Sequence, residues 1–301
     1  MRIKGHDSFS LRRGWLYKGI KNIQINNRLF NESDSNACEV LGLGSNMVKS
    51  LRFWLKATDL IKDERIGNLT VQVVTDFGQL IDRYDRYYEE QGTNFLVHYK
   101  LVTNEDLATA WYWFFNLYQG MTMDRKQFSA DNGEFVAYLK HAGFTGTMSP
   151  KNLEDEFACL VRTYYNRAQK EESPEETKIC PLSELNLLTM SEAKSKEYKK
   201  ISPSKDEIHP MIIYAVMVDN LNGRTEIPID ALRTDAKNIG RVFNLDRSVL
   251  IYVLEKIESM GYIEIVRTAG LDVVKIKEQE EPLDFLRCAE LYYRDLVGGE
   301  V

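Results

Sequence analysis

Histidine and cysteine are scarce in this sequence, and neither is grouped. The four cysteines (Cys38, Cys159, Cys180, Cys288) are scattered, with no Cys-x-x-Cys pair. That argues against zinc and against a disulfide framework, and suits small buried side chains in a reducing compartment. The four histidines (His6, His98, His141, His209) have no metal-ligand spacing. There is no Gly-x-x-x-x-Gly-Lys, no Gly-x-Gly-x-x-Gly, no His-Glu-x-x-His and no Gly-x-Ser-x-Gly, so nucleotide-driven and hydrolase chemistries lack local support. No apolar run is long enough to span a bilayer, and Met1–Asp7 lacks the apolar stretch of a signal peptide. The expected location is the cytoplasm, with no membrane association.

What is there describes an ordinary globular chain: 301 residues, 44% hydrophobic and 28% charged, enough for two or three small domains. The net charge of −6 argues against a protein that coats nucleic acid indiscriminately. The charge is unevenly spread, however. Residues 1–75 hold 12 Lys/Arg against 7 Asp/Glu, and the remainder holds 27 against 38. The positive field therefore belongs to the first quarter.

Within that quarter, Gly42–Ile61 has the grammar of the second helix of a helix-turn-helix. Two glycines make the turn, and Ser45 is offered as N-cap. Val48, Leu51, Leu55 and Thr58 recur at helical spacing to build one apolar face. Ser45, Asn46, Lys49, Ser50, Arg52 and Lys56 lie between them with no acid in the helix. Such a face suits DNA, since cations meet phosphate and Asn, Arg and Lys reach base edges. An ordinary solvated helix is the competing reading. Arg12 and Arg13 are further phosphate candidates. Two short strands around Gly67-Asn68 follow, so helix, turn, helix and hairpin predict a winged helix.

Beyond it, a helix is predicted over Gln79–Glu90, and another over Asn104–Tyr118, whose aromatic residues occupy nearly all faces. That density predicts a central buried helix, with a platform for stacking single-stranded bases as the alternative. Helices are also predicted over Asp124–Ala142, with a break near Asp131–Gly133, and over Pro150–Ala168. Lys170–Lys178 reads as an exposed loop, and Glu192–Lys205 as a loose hairpin around Ile201. From Ser202 a second winged-helix pattern begins: a helix over Met211–Leu221 with Pro210 in its first turn, a short element at Ile229–Leu232, a helix over Arg247–Met260 capped by Asp246, and strand, turn and strand over Gly261–Ile276. Leu250, Leu254, Ile257 and Met260 mark its core face. Glu255 and Glu258 on that helix point to packing or dimerisation over base reading. A terminal helix, Leu283–Leu296, closes the chain. The predicted architecture is mainly α (α+β), with winged-helix units at 1–95 and 191–301 flanking a helical middle domain at 96–190.

Catalytic candidates are thin. His6 beside Asp7 could be an acid–base or metal pair, although a turn hydrogen bond explains such neighbours as well. Glu154, Asp155 and Glu156 could hold a divalent metal, although acids also suit the start of a helix.

Several segments together resemble a family of bacterial proteins known as a domain of unknown function, whose members sit in gene clusters with sulfur-transfer and phage-defence proteins. The resemblance is carried by Gly5–Phe9 (GHDSF) with Arg12–Leu16, Leu43–Trp54 (LGSNMVKSLRFW), Thr109–Asn116 (TAWYWFFN), Val161–Tyr164 (VRTY), Cys180–Leu185 (CPLSEL), Ile239–Asp246 (IGRVFNLD) and Thr268–Leu271 (TAGL). One member is the nicking component of the single-strand DNA phosphorothioation system. The resemblance therefore implies a protein that nicks one DNA strand so that sulfur can be installed, with a cysteine desulfurase, an ATPase and an ATP-pyrophosphatase-like protein as companions. Intrinsic nicking would call for Mg2+ or Mn2+. The matching motifs spell out no nuclease site. A non-catalytic DNA-binding adaptor or regulator and an assembly scaffold stand as rivals, and two helix-turn-helix units allow a monomer or a homodimer.

Overall fold

The computed structural model describes residues 1–31, 34–165, 179–192, 196–268 and 271–298. They are mixed α+β, mostly helical, with three small antiparallel sheets among the described residues. The chain divides into two compact units, Met1–Phe114 with Tyr118–Lys200, and Phe115–Leu117 with Ile201–Val301. No described helix is long and apolar enough to cross a membrane.

The first unit opens with α1 (Trp15–Ile25), α2 (Asp34–Leu41) and α3 (Ser45–Ala57), followed by β1 (Ile61–Ile66) and β2 (Leu69–Val74). Helices α1 and α2 pack on α3, which buries Val48, Leu51, Leu55 and Thr58 as their spacing predicts, together with Phe53 and Trp54. The two strands pair with Ile66 opposite Leu69. Gly67 takes φ 61 between them, a left-handed turn that glycine adopts without strain.

Helix α4 (Asp76–Tyr84) starts from Thr75, whose Oγ1 accepts the Gly78 N–H at 3.0 Å. It stops short of the predicted Glu90. Asp85 accepts the N–H groups of Glu89 and Glu90, both at 3.0 Å, and Tyr88 turns left-handed. A helix absent from the sequence reading follows, α5 (Gln91–Thr103), and the 95/96 boundary falls inside it. Helix α6 (Thr109–Tyr112) runs into a π-helical turn, Trp113–Leu117. Every ring from Trp111 to Phe115 is buried, so this run is core and offers no exposed base-stacking platform. Then come β3 (Thr122–Asp124), α7 (Arg125–Ser129), α8 (Glu134–His141), α9 (Pro150–Tyr164), a 3-10 turn at Pro181–Leu185, β4 (Leu188–Met190) and β5 (Glu197–Lys200). Strand β5 lies between β3 and β4. Ile201 is not the turn of a hairpin: it follows the end of β5, which pairs instead with β4, ahead of the predicted Glu192–Lys205 span.

The second unit comprises α10 (Pro210–Asp219), β6 (Glu226–Pro228), α11 (Ile229–Thr234), α12 (Ile239–Val242), α13 (Arg247–Ser259), β7 (Ile263–Thr268), β8 (Leu271–Ile276) and α14 (Phe285–Gly298), with sheet order β6-β8-β7. Helix α10 packs on α13 and α14. Leu250, Leu254 and Ile257 are buried, whereas Met260 caps α13 and is exposed. The predicted continuation to Ala168, the loop at Lys170–Lys178 and the residues of the turn after Thr268 lie outside the described residues.

The segment before α1 packs tightly on α3. A Cβ on Gly5 would sit 2.5 Å from the Phe53 ring. Gly5→Ala overpacks this contact and is expected to cost about 1–3 kcal/mol, read as a lower urea midpoint. An unchanged midpoint would contradict the packing.

Candidate nucleic-acid interface

The turn before α3 is set by backbone geometry. Gly42 ends α2 at φ 60, and the Leu43 N–H donates to the Cys38 carbonyl at 3.1 Å, a left-handed helix stop. Gly44 is the extended N-cap residue, so Ser45 is the first residue of α3 and makes no cap hydrogen bond. From there Ser45, Asn46 and Lys49 face solvent. Ser50 does not: it is fully buried, and its hydroxyl donates to the Phe9 carbonyl at 3.2 Å. A burial satisfied by hydrogen bonding is invisible to polarity alone.

Arg52 and Lys56 are half-buried and engaged. Asp63 on β1 accepts from Arg52 at 3.2 Å and from Lys56 at 2.6 Å, and Gln72 on β2 donates to it at 3.0 Å. Partial burial alone would raise the Asp63 pKa. The Lys56 and Gln72 hydrogen bonds and the Arg52 charge outweigh it and hold the pKa down, at about 2. Nothing in the sequence pattern pairs an acid in β1 with two cations of α3. The hairpin also exposes Lys62 and Arg65, and its tip exposes Ile66 and Leu69.

The two arginines ahead of α1 have partners of different kinds. Arg12 lies over the Phe9 and Trp15 rings, at 5.8 and 5.3 Å. Arg13 is exposed and pairs with Glu184.

The catalytic candidates come together in a way their sequence positions conceal. His6 pairs with Glu156, 150 residues away, through Nε2 at 3.0 Å, and both side chains are buried. Asp7 is not the partner; it occupies a left-handed turn at φ 49. Glu156 also accepts the Lys4 N–H at 2.5 Å. The Ser8 N–H donates to His6 Nδ1 at 3.1 Å, so in this arrangement Nε2 carries the proton given to Glu156. Burial lowers the proton affinity of His6 and the Cys159 sulfur and Glu156 carboxylate raise it, but the Ser8 N–H pointing at the Nδ1 lone pair favours the neutral ring. Phe53, Trp54 and Trp111 surround the imidazole. Sealed from water, the pair fastens the N-terminal segment to α9 and offers no open position for a substrate.

Asp155 pairs with Lys4 at 2.6 Å, which lowers its pKa. Glu154 faces Arg125 at 3.8 Å. Among the described residues no three His, Cys, Asp or Glu side chains are grouped to hold a metal ion.

A family model described as "Protein of unknown function (DUF4007)" matches residues 3–293. No curated relative matches the sequence. Two solved structures share the fold. One, "SspB crystal structure", has a TM-score of 0.80 at 21% identity, covering 98% of this chain and 87% of its own. The other, "Magnesium ion-bound SspB crystal structure", has a TM-score of 0.79 at 22% identity over the same shares.

Two measurements probe these contacts. Because its folded pKa is depressed, Asp63 contributes stability that is fully present above its unfolded pKa, near the ordinary value of 3.8, and lost as pH falls towards about 2. The melting-temperature gap between wild type and Asp63→Asn should be constant above that window and narrow within it; a gap that persists to pH 2 would contradict the assignment. Glu156→Ala leaves His6 and the Lys4 N–H buried without their acceptor, and is expected to cost about 3–5 kcal/mol in chemical denaturation.

Proposed function

The chain belongs to the DUF4007 family, and on that footing we propose that it is a DNA-docking component of a bacterial phosphorothioation and phage-defence system. The N-terminal part of the first unit, residues 1–95, is read as a winged helix, with α3 against the duplex and the β1–β2 hairpin as its wing. The observation that carries this is the solvent-facing run Ser45, Asn46 and Lys49 on a helix presented by a left-handed turn, next to a hairpin exposing Lys62 and Arg65. The SspB-like fold and the sequence resemblance supply the phosphorothioation context. Its partners would be the cysteine desulfurase, ATPase and ATP-pyrophosphatase-like protein that the resemblance implies.

In this reading Asn46 and Lys49 make the first contacts. Arg52 and Lys56 join only where a phosphate displaces Asp63, because the carboxylate already holds the donors a phosphate would take. Ser50 is left out, being buried. Arg12 and Arg13 act from their present partners or not at all.

Intrinsic nicking is the stronger version of the role. A solved structure of the same fold, of SspB, is magnesium-bound, which supports this version, and the closed His6–Glu156 pair does not supply the centre. Relaxed circles from supercoiled plasmid, with pure protein and Mg2+ or Mn2+, would establish nicking. Plasmid that stays supercoiled would sink it and leave the docking role, with an adaptor's function.

Docking itself is tested by duplex binding. Asn46→Ala with Lys49→Ala should weaken affinity and reduce the salt slope by about 1. Asp63→Asn should tighten binding and steepen that slope, since Lys56 loses its ion pair and Arg52 keeps only the Phe30 carbonyl. Unchanged affinity in both variants would remove α3 from the interface.

A further inference from the structure

The second unit carries a cation arrangement that its sequence disguises. Helix α13 holds Glu255 and Glu258 beside Arg247 and Lys256, a mixture that argues against phosphate contact. The side chains are not equivalent, however. Glu258 accepts the Ile265 N–H at 2.6 Å. Glu255 pairs with Arg267 at 2.9 Å. Asp246 is consumed as the cap of α13, accepting the N–H groups of Ser248 and Val249 at 2.8 and 2.9 Å. Asp206 accepts the Tyr252 hydroxyl at 2.8 Å.

The lysines are held differently. Lys205 and Lys256 both lie over the Tyr252 ring, with Nζ at 5.2 and 5.4 Å from its centroid, and both are exposed. A ring face attracts an ammonium without taking its N–H donors. The Asp206 bond fixes the ring, so the ring fixes the two lysines. Asp246 attracts Lys205 electrostatically, but its hydrogen bonds go to the start of α13, so the ammonium groups of Lys205 and Lys256 keep their N–H donors while the ring draws them to one face. Arg247, also exposed, starts the same helix.

We infer that the Lys205–Tyr252–Lys256 face of the second unit is a second nucleic-acid contact, binding the phosphodiester backbone of duplex DNA. It reads no sequence, because the donors are point charges and the tyrosine hydroxyl is engaged. The inference rests on the reading that the chain contacts DNA, but on a different surface from α3.

Lysine acetylation of the full chain, with and without duplex DNA and mapped by mass spectrometry, separates the two. Protection of Lys205 and Lys256 by DNA is the expected result, and protection of Lys49 reports on α3 independently. If Lys49 is protected and Lys205 and Lys256 react as in free protein, this inference is overturned and the docking role stands; the face would then suit an acidic protein segment. If only Lys205 and Lys256 are protected, the inference stands and the α3 reading fails. If none is protected, both fail. Lys205→Ala with Lys256→Ala should also lower the salt slope of duplex binding by about 2, and an unchanged slope would count against the contact.

Discussion

Glu156 is a carboxylate taken out of water, and the N-terminal part of the fold hangs on how it is satisfied. Isolated in an apolar surrounding it would be costly by several kcal/mol or more. His6 Nε2 and the Lys4 N–H meet it instead. Those two bonds lock the first ten residues against α9. Once locked, the segment presents the Phe9 carbonyl to α3, where Trp54 Nε1 and the Ser50 hydroxyl both donate to it. One face of α3 is thereby committed to the interior, and its rotation about its own axis is fixed. The anchor that holds this segment joins residues 150 positions apart in sequence, and the segment adds to the packing of α1 and α2 that turns Ser45, Asn46 and Lys49 outward.

The other constraint on α3 is electrostatic. Asp63 draws Arg52 and Lys56 toward the hairpin, joining helix and strand across a half-exposed surface. Such pairs contribute little stability at most exposed sites, but here one acceptor serves three donors, counting Gln72. The same contact restrains the charge that the proposed docking face shows to solvent. A negatively charged chain with a partly neutralised basic helix suits binding that is selective and reversible over general coating of nucleic acid.

What was legible in the sequence was what repeats locally. The buried face of α3 follows from helical spacing, and the hairpin from Gly67-Asn68. Helix α5 was illegible because it has no polar stripe: Thr93, Asn94 and His98 are buried alongside Phe95, Leu96 and Val97, so periodicity has nothing to detect. Strands β3, β4 and β5 span only three or four residues each, and β3 pairs with a strand more than 70 residues onward. The His6–Glu156 pair belongs to the same class. Both residues were visible as candidates, but each was matched with its chain neighbours, and only the fold joins them. Burial also reverses their meaning, from reactive groups to an anchor.

The family match covers residues 3–293 and the SspB likeness 98% of the chain, while the proposed docking face is built from this chain's own side chains. Its central claim is that the first unit docks duplex DNA through charge and a presented helix. A salt titration of wild-type binding to labelled duplex tests that most directly. The account predicts measurable binding at low salt, with log K falling linearly against log salt. Absence of binding at low salt, or binding indifferent to salt, would contradict it.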